Sequence, residues 1–233
     1  MFNLPRAAIN FNDGLGGGNL VEGNIIFNAC RESGDHGPIN SWDRMPFLTT
    51  TTGKPSFTPL PSHTQHNMIL ANYGASEGFD NDDGSSWYYT HHNVFYQADG
   101  FKMDYGGHSS KFWSNLVYSD NKKCYGTGSF LEGQADEFNN NTCILAQQKD
   151  SAPRLGHMFQ CADFGMKPNS NRYFTATGNG TFACGDQMEV TIQEMQKQGF
   201  ETGSTIEVMP PVETIMSWAR RILSPGFGDV SNH

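Results

Sequence analysis

Between Gly78 and His108 this chain gathers the side chains best suited to chemistry. The stretch reads Gly78-Phe79-Asp80-Asn81-Asp82-Asp83-Gly84 and continues through Asp99, Lys102, Asp104 and Gly106-Gly107-His108, in a protein only 17% charged. Clustered carboxylates suit acid–base cleavage of a glycosidic bond: one delivers a proton while another, about 5–5.5 Å away for retention and farther for inversion, stays ionised. Like charges held close raise one another's pKa and so create that split. Asp82 or Asp83 is the expected acid, Asp104 the base or nucleophile, and His108 the orienting hydrogen-bond partner. Asp80, Lys102 and Arg31, with Asp35 and His36, are expected to contact substrate. Trp42, Trp87 and Tyr105 have the polar neighbours of sugar-stacking platforms. A plainer alternative stands beside this: Asp80 to Ser85 is a good solvated turn whatever its chemistry, and Arg31 could serve only to neutralise carboxylates between strands.

No cofactor is expected, although a lyase would need Ca²⁺ and a basic side chain to remove a sugar proton, and a loose calcium site stays open. Asp80, Asp82 and Gly84 imitate the start of a calcium loop, but its twelfth position is His91 rather than a bidentate glutamate. No metal site is expected at His91-His92 either, because neighbours on a strand point to opposite faces.

These residues need elements to hold them. An Asn-apolar-x-apolar unit recurs at Asn24, Asn67, Asn93, Asn115, Asn141 and Asn179, at intervals of 43, 26, 22, 26 and 38. A period in the low to middle twenties, lengthened by insertions, is that of a solenoid adding short strands to parallel sheets. Asparagine suits the corners because it tolerates left-handed geometry. Residues one coil apart would lie roughly 4.8 Å apart. The offsets of 22 from Asp13 to Asp35, 24 from Asp80 to Asp104 and 25 from Asp83 to His108 would then stack the polar residues on one face.

Over roughly residues 7 to 185 the pattern resembles the right-handed parallel β-helix proteins, the superfamily of pectate lyases and polygalacturonases. Asn81-Asp82-Asp83 followed by Gly107-His108 is similar to the acidic and Gly-His motifs of polygalacturonases, while their Arg-x-Lys substrate clamp has no counterpart. Arg31 to Pro38 and Gly78 to Gly84 look nearest to uncharacterised secreted β-helix proteins. The resemblance implies an all-β, right-handed parallel β-helix with long loop insertions and a C-terminal α-helical cap. Its coils would span 1–186, as the C-terminal part of a longer solenoid, and the cap and tail 187–233.

Residues 37 to 64, with five prolines, and about 146 to 172 read as excursion loops. Glu189 to Lys197 and a segment starting after Pro210-Pro211 read as helices, the second amphipathic through Val212, Ile215, Met216, Ala219, Ile222 and Leu223 and expected to cover the terminal strand edges. Cys124 with Cys143 and Cys161 with Cys184 are candidate disulfides, and Cys30 a small buried apolar residue. Asn140 and Asn179 head glycosylation sequons. A net charge of −9 disfavours nucleic acid and anionic lipid, and no run of eighteen apolar residues suggests membrane insertion. Together these imply an extracellular glycoprotein, with no signal peptide visible, that binds a polysaccharide and cleaves it by paired-carboxylate hydrolysis. The alternative is a non-catalytic structural or glycan-binding β-helix that self-associates or is completed by upstream coils.

Overall fold

The computed structural model describes residues 1–12, 17–42, 47–49, 55–70, 73, 75, 77–103, 106–120, 123–128, 130–133, 135–146, 153–161 and 165–224, with only the backbone at 12, 47–49 and 55–59. Asp13, Asp104 and Tyr105 lie outside the described residues.

The chain runs in repeated circuits of short strands. The first circuit is β1 (Ile9–Asn12), β2 (Leu20–Glu22) and β3 (Ile25–Phe27). The second is β4 (Ile39–Trp42), then a hairpin of β5 (Phe47–Thr49) and β6 (Pro55–Pro59), then β7 (Ser62–Gln65) and β8 (Met68–Leu70). Three further circuits follow: β9 (Phe79–Asn81), β10 (Tyr88–His91) and β11 (Val94–Tyr96); β12 (Phe101–Met103), β13 (Lys111–Trp113) and β14 (Leu116–Ser119); β15 (Tyr125–Thr127), β16 (Glu137–Asn139) and β17 (Thr142–Leu145). The last elements are β18 (Arg154–Met158), β19 (Arg172–Thr175), β20 (Thr181–Cys184), β21 (Gln187–Val190), α1 (Ile192–Lys197), β22 (Thr205–Val208) and α2 (Val212–Leu223).

Each full circuit adds one strand to each of three sheets. Their orders are β1-β4-β9-β12-β15-β18-β20-β21, β2-β7-β10-β13-β16 and β3-β8-β11-β14-β17-β19-β22. Pairing is parallel except at the β5–β6 hairpin and where β21 folds back on β20. Parallel strands require long returns, and here each return is the rest of the circuit. All three sheets aim one face inward. Ile39, Phe79, Phe101 and Tyr125 from the first, Phe112 and Phe138 from the second, and Ile69, Phe95, Val117 and Tyr173 from the third share one core. Burying each such side chain stabilises by roughly 1.5–3 kcal/mol.

The corner between the second and third sheets depends on two adjacent residues. Asn24, Asn67, Asn93, Asn115, Asn141 and Asn171 form a column in which each backbone N–H donates to the next side-chain oxygen at 2.9–3.1 Å. It ends on the Ser204 hydroxyl. Asn171, not Asn179, supplies the sixth step. The left-handed backbone belongs to the residue before each asparagine, including His66, His92, Ser114, Asn140 and Ser170 at φ 52–55°. That bend turns the following amide inward, where it meets buried backbone groups that apolar side chains would leave unsatisfied.

Several boundaries differ from the pattern read along the chain. The 37–64 excursion narrows to the segment between β4 and β7, with its prolines at 55 and 59 on the hairpin strand β6. The 146–172 segment contains β18 and the column residue Asn171. The first predicted helix begins at Ile192, after a capping box of Thr191 and Glu194. The amphipathic helix α2 covers the outer face of the third sheet rather than its terminal edge, with Ile215 and Ala219 against Val94, Leu116, Ile144 and Phe174. Beside the terminal edge of the first sheet stand β21 and α1, whose Val190, Ile192 and Met195 join the main core. The disulfides are Cys124–Cys143 and Cys161–Cys184, and Cys30 is a buried free thiol.

Asp136 is a buried acid that, among the described residues, has no basic side chain as a partner. One oxygen accepts the Ser110 N–H at 2.8 Å while the other has no hydrogen-bond partner, and burial pushes its pKa from 3.8 to about 7. A carboxyl whose pKa rises on folding contributes its full stability below the unfolded value and loses it as pH climbs through the folded one. Urea midpoints should therefore fall between pH 5 and 8.5, and Asp136→Asn should flatten that fall while raising the midpoint at pH 8.5. An equal slope in the variant would remove Asp136 as its source.

Candidate functional site

A cleft of about 540 Å³ opens beside the first sheet. Three segments build it. The turn after β9 presents Asp82 and Asp83; it closes through Gly84 at φ 74° and is anchored because Asp82 N–H and the Ser85 hydroxyl both donate to the Ser41 carbonyl at 2.8 Å. The loop after β3 presents Ser33, Gly34, Asp35 and His36, and Cys30 to Ser33 donate backbone hydrogen bonds to the carbonyls of Leu4, Pro5 and Arg6. The end of β4 contributes Trp42, a residue 39% exposed. Arg6 completes the wall. Gly37 lets the loop approach the sheet, since a Cβ there would stand 2.6 Å from the Glu77 carbonyl oxygen.

Beneath the cleft the charges are paired. Asp80 is fully buried and lies directly beside Lys102 in the β9–β12 register. Lys102 Nζ is 2.9 Å from Asp80 and 3.4 Å from Asp82, so the same ammonium links the buried layer to the cleft. The Asp82 side chain is one-third exposed. Nearby Glu77 is 7% exposed and its pKa rises to about 7, first through burial and then through Asp80, with Lys102 opposing. It therefore holds its proton to higher pH than an exposed carboxyl does, next to a carboxylate held by a lysine.

His36 is buried, and its Nε2 lies 3.0 Å from the Ser33 hydroxyl. Burial and then Arg6 lower its pKa, so the ring is neutral at pH 7 and accepts from Ser33 or donates to it according to tautomer. Cys30, with its thiol pushed up to about 11 by burial and Asp80, is no nucleophile.

The structure thus brings Asp35, His36, Trp42, Asp82 and Asp83 together and sets Asp80 and Lys102 under them. Arg31 is exposed and is not among the described residues lining the cleft. His108 pairs with Ser86 and donates its backbone N–H to that hydroxyl, away from the lining. Asp83 is therefore not its stacking partner, and the offset in this part of the fold is 22. Trp87 sits at a left-handed bend, φ 64°, between β9 and β10. Asn140 and Asn179 are exposed. The pattern along the chain missed Ser33, Glu77 and Arg6. Arg6 could not be found from spacing, because it reaches the cleft from a segment preceding the first strand.

No family model matches the chain, and neither a curated protein nor a solved structure is similar enough to match it. Among the described residues no helix is long and apolar enough to cross a membrane. The chain is an all-β protein of three parallel sheets with a small helical C-terminal part, held by two disulfides.

Proposed function

We propose that the circuits form a right-handed parallel β-helix, and that the protein is an extracellular glycan-binding hydrolase working in the cleft beside the first sheet. The observation that carries this reading is the cleft's composition: three carboxylates, a neutral imidazole, a guanidinium and an exposed indole share one open volume. The indole offers a flat apolar face for a sugar ring, and Arg6 and His36 offer hydrogen bonds to its hydroxyls. Asp82, 3.4 Å from Lys102, is placed to act as the base or nucleophile, and Asp83 or Asp35 as the acid. The disulfides and two exposed sequons support an oxidising, extracellular setting.

Reducing-sugar release should be screened over plant, algal and bacterial polysaccharides with wild type, Asp82→Asn, Asp83→Asn and Trp42→Ala. Loss of about 100-fold or more in kcat is expected for Asp82→Asn, and a raised KM for Trp42→Ala. Glycan binding without release from any polymer would favour the second reading, a non-catalytic structural β-helix. That reading draws on the buried Asp80–Lys102 pair, which makes part of the acidic cluster architectural. Neither release nor binding would overturn both.

A further inference from the structure

Four of the eight histidines meet far along the chain from the cleft residues of the β3–β4 loop, at the corner between the second and third sheets. His63 lies in β7 and His91 ends β10, while His66 and His92 are left-handed corner residues preceding Asn67 and Asn93. The corner cancels strand alternation, so His91 and His92 converge, with their Nδ1 atoms 2.9 Å apart. This corrects the expectation that they point to opposite faces. His91 Nε2 stands 3.2 Å from His63 Nδ1, and the His66 and His92 ring centres are 5.6 Å apart. The His91 ring is held by stacking on Trp113 at 4.2 Å.

Neutral imidazole nitrogens ligate divalent ions of intermediate softness. With bonds of about 2.0–2.1 Å, two nitrogens on one ion stand roughly 2.9 Å apart at a right angle and roughly 3.4 Å apart at the tetrahedral angle. The His91–His92 separation fits the first. A metal-bound imidazole is usually oriented by donating its other N–H to an acceptor. One such outer contact is present, His91 Nε2 facing His63 Nδ1 at 3.2 Å, and separately His66 Nδ1 is 2.7 Å from the Ile222 carbonyl of α2. That carbonyl can only accept, so His66 Nδ1 carries the proton and Nε2 the lone pair. Among the described residues no three His, Cys, Asp or Glu side chains already stand as a ligand set, so the third ligand must come by rotation of a ring.

We propose that His91 and His92, joined by His66 through rotation of its ring, bind one divalent transition-metal ion such as Ni²⁺, Cu²⁺ or Zn²⁺. His63 is a positioning residue that holds His91. Because His66 Nδ1 holds the Ile222 carbonyl in the last turn of α2, turning that ring onto the ion would release this contact.

Equilibrium dialysis of the whole protein against Ni²⁺ and Zn²⁺ tests this. One ion per chain is expected, with affinity weakened about 10-fold or more by His92→Gln and by His63→Gln and unchanged by His157→Gln. Absence of binding, or binding indifferent to His92→Gln, would overturn it. Should His92→Gln fail to fold, electron paramagnetic resonance of Cu²⁺ on the wild type decides: coupling to two or more nitrogens supports the site, and an oxygen-only ligand set refutes it.

Discussion

Glu201→Ala should lower the unfolding free energy by roughly 4–12 kcal/mol, at about 1–3 kcal/mol for each buried donor left without an acceptor. Four donors converge on that fully buried carboxylate: Tyr125 and Tyr173 hydroxyls at 2.9 and 2.8 Å, the Ser204 hydroxyl at 2.6 Å and the Asn171 amide at 3.3 Å. The tyrosines come from the first and third sheets, so Glu201 joins them across the interior at the C-terminal end of the stack. Since domains are stable by about 5–15 kcal/mol, the variant should be largely unfolded in mild urea. Glu201→Gln keeps an acceptor for both tyrosines, and the Ser204 hydroxyl can rotate to meet the new amide; its loss should be clearly smaller. Burial raises the Glu201 pKa, against the pull of its four donors, so its contribution weakens as pH rises through the folded value. Circular dichroism across a urea series reads these differences, and equal midpoints for wild type and Glu201→Ala would show that the tyrosines find other partners.

The second large effect is expected in the middle of the asparagine column. Asn115 accepts from the backbone and side chain of Asn93 and donates to the carbonyls of Thr90 and Trp113 and to Asn141 Oδ1. Asn115→Ala strands the Asn93 N–H, which is buried, and removes a donor from the Thr90 carbonyl; at about 1–3 kcal/mol each, roughly 2–6 kcal/mol is lost. Asn24→Ala, at the exposed end of the same column, should cost much less, because water reaches the groups it leaves. Thermal melts of the two variants at equal concentration make the comparison. A column valued only for its corner geometry would give similar shifts at both positions, since both asparagines follow a left-handed residue.

Much of this architecture is legible along the chain because it is written in short-range chemistry. An apolar residue every second position buries one strand face, and an asparagine at each corner carries both donor and acceptor to a backbone that bends there. Five of the six column residues, both disulfides and the apolar face of α2 follow from such patterns. The mistakes have an equally local cause. Asn179 and Asn171 sit in similar sequence surroundings, and only burial separates them: Asn171 is fully buried and Asn179 is exposed. Thr191 and Glu194 make a capping box that marks the start of α1 two residues after a β-strand ends, a signal outweighed by the helical periodicity of the segment around it.

The site was legible only in its ingredients. Asp82, Asp83, Asp35, His36 and Trp42 could be chosen by residue type, but which of them meet depends on how many residues each circuit uses. Successive column steps span 43, 26, 22, 26 and 30 residues, and a shift of two is enough to seat Lys102 rather than Asp104 beside Asp80. The same dependence put Arg6 in the cleft and brought His66 to His92. By itself, then, the sequence determined the strand-and-corner rhythm, the inward face and the cysteine pairs, all of which rest on periodicity and on groups that must be satisfied close to where they occur. Only the tertiary structure decided the register between circuits, and with it which charges are neighbours, because that register is set by packing the whole core at once and by no short stretch of chain.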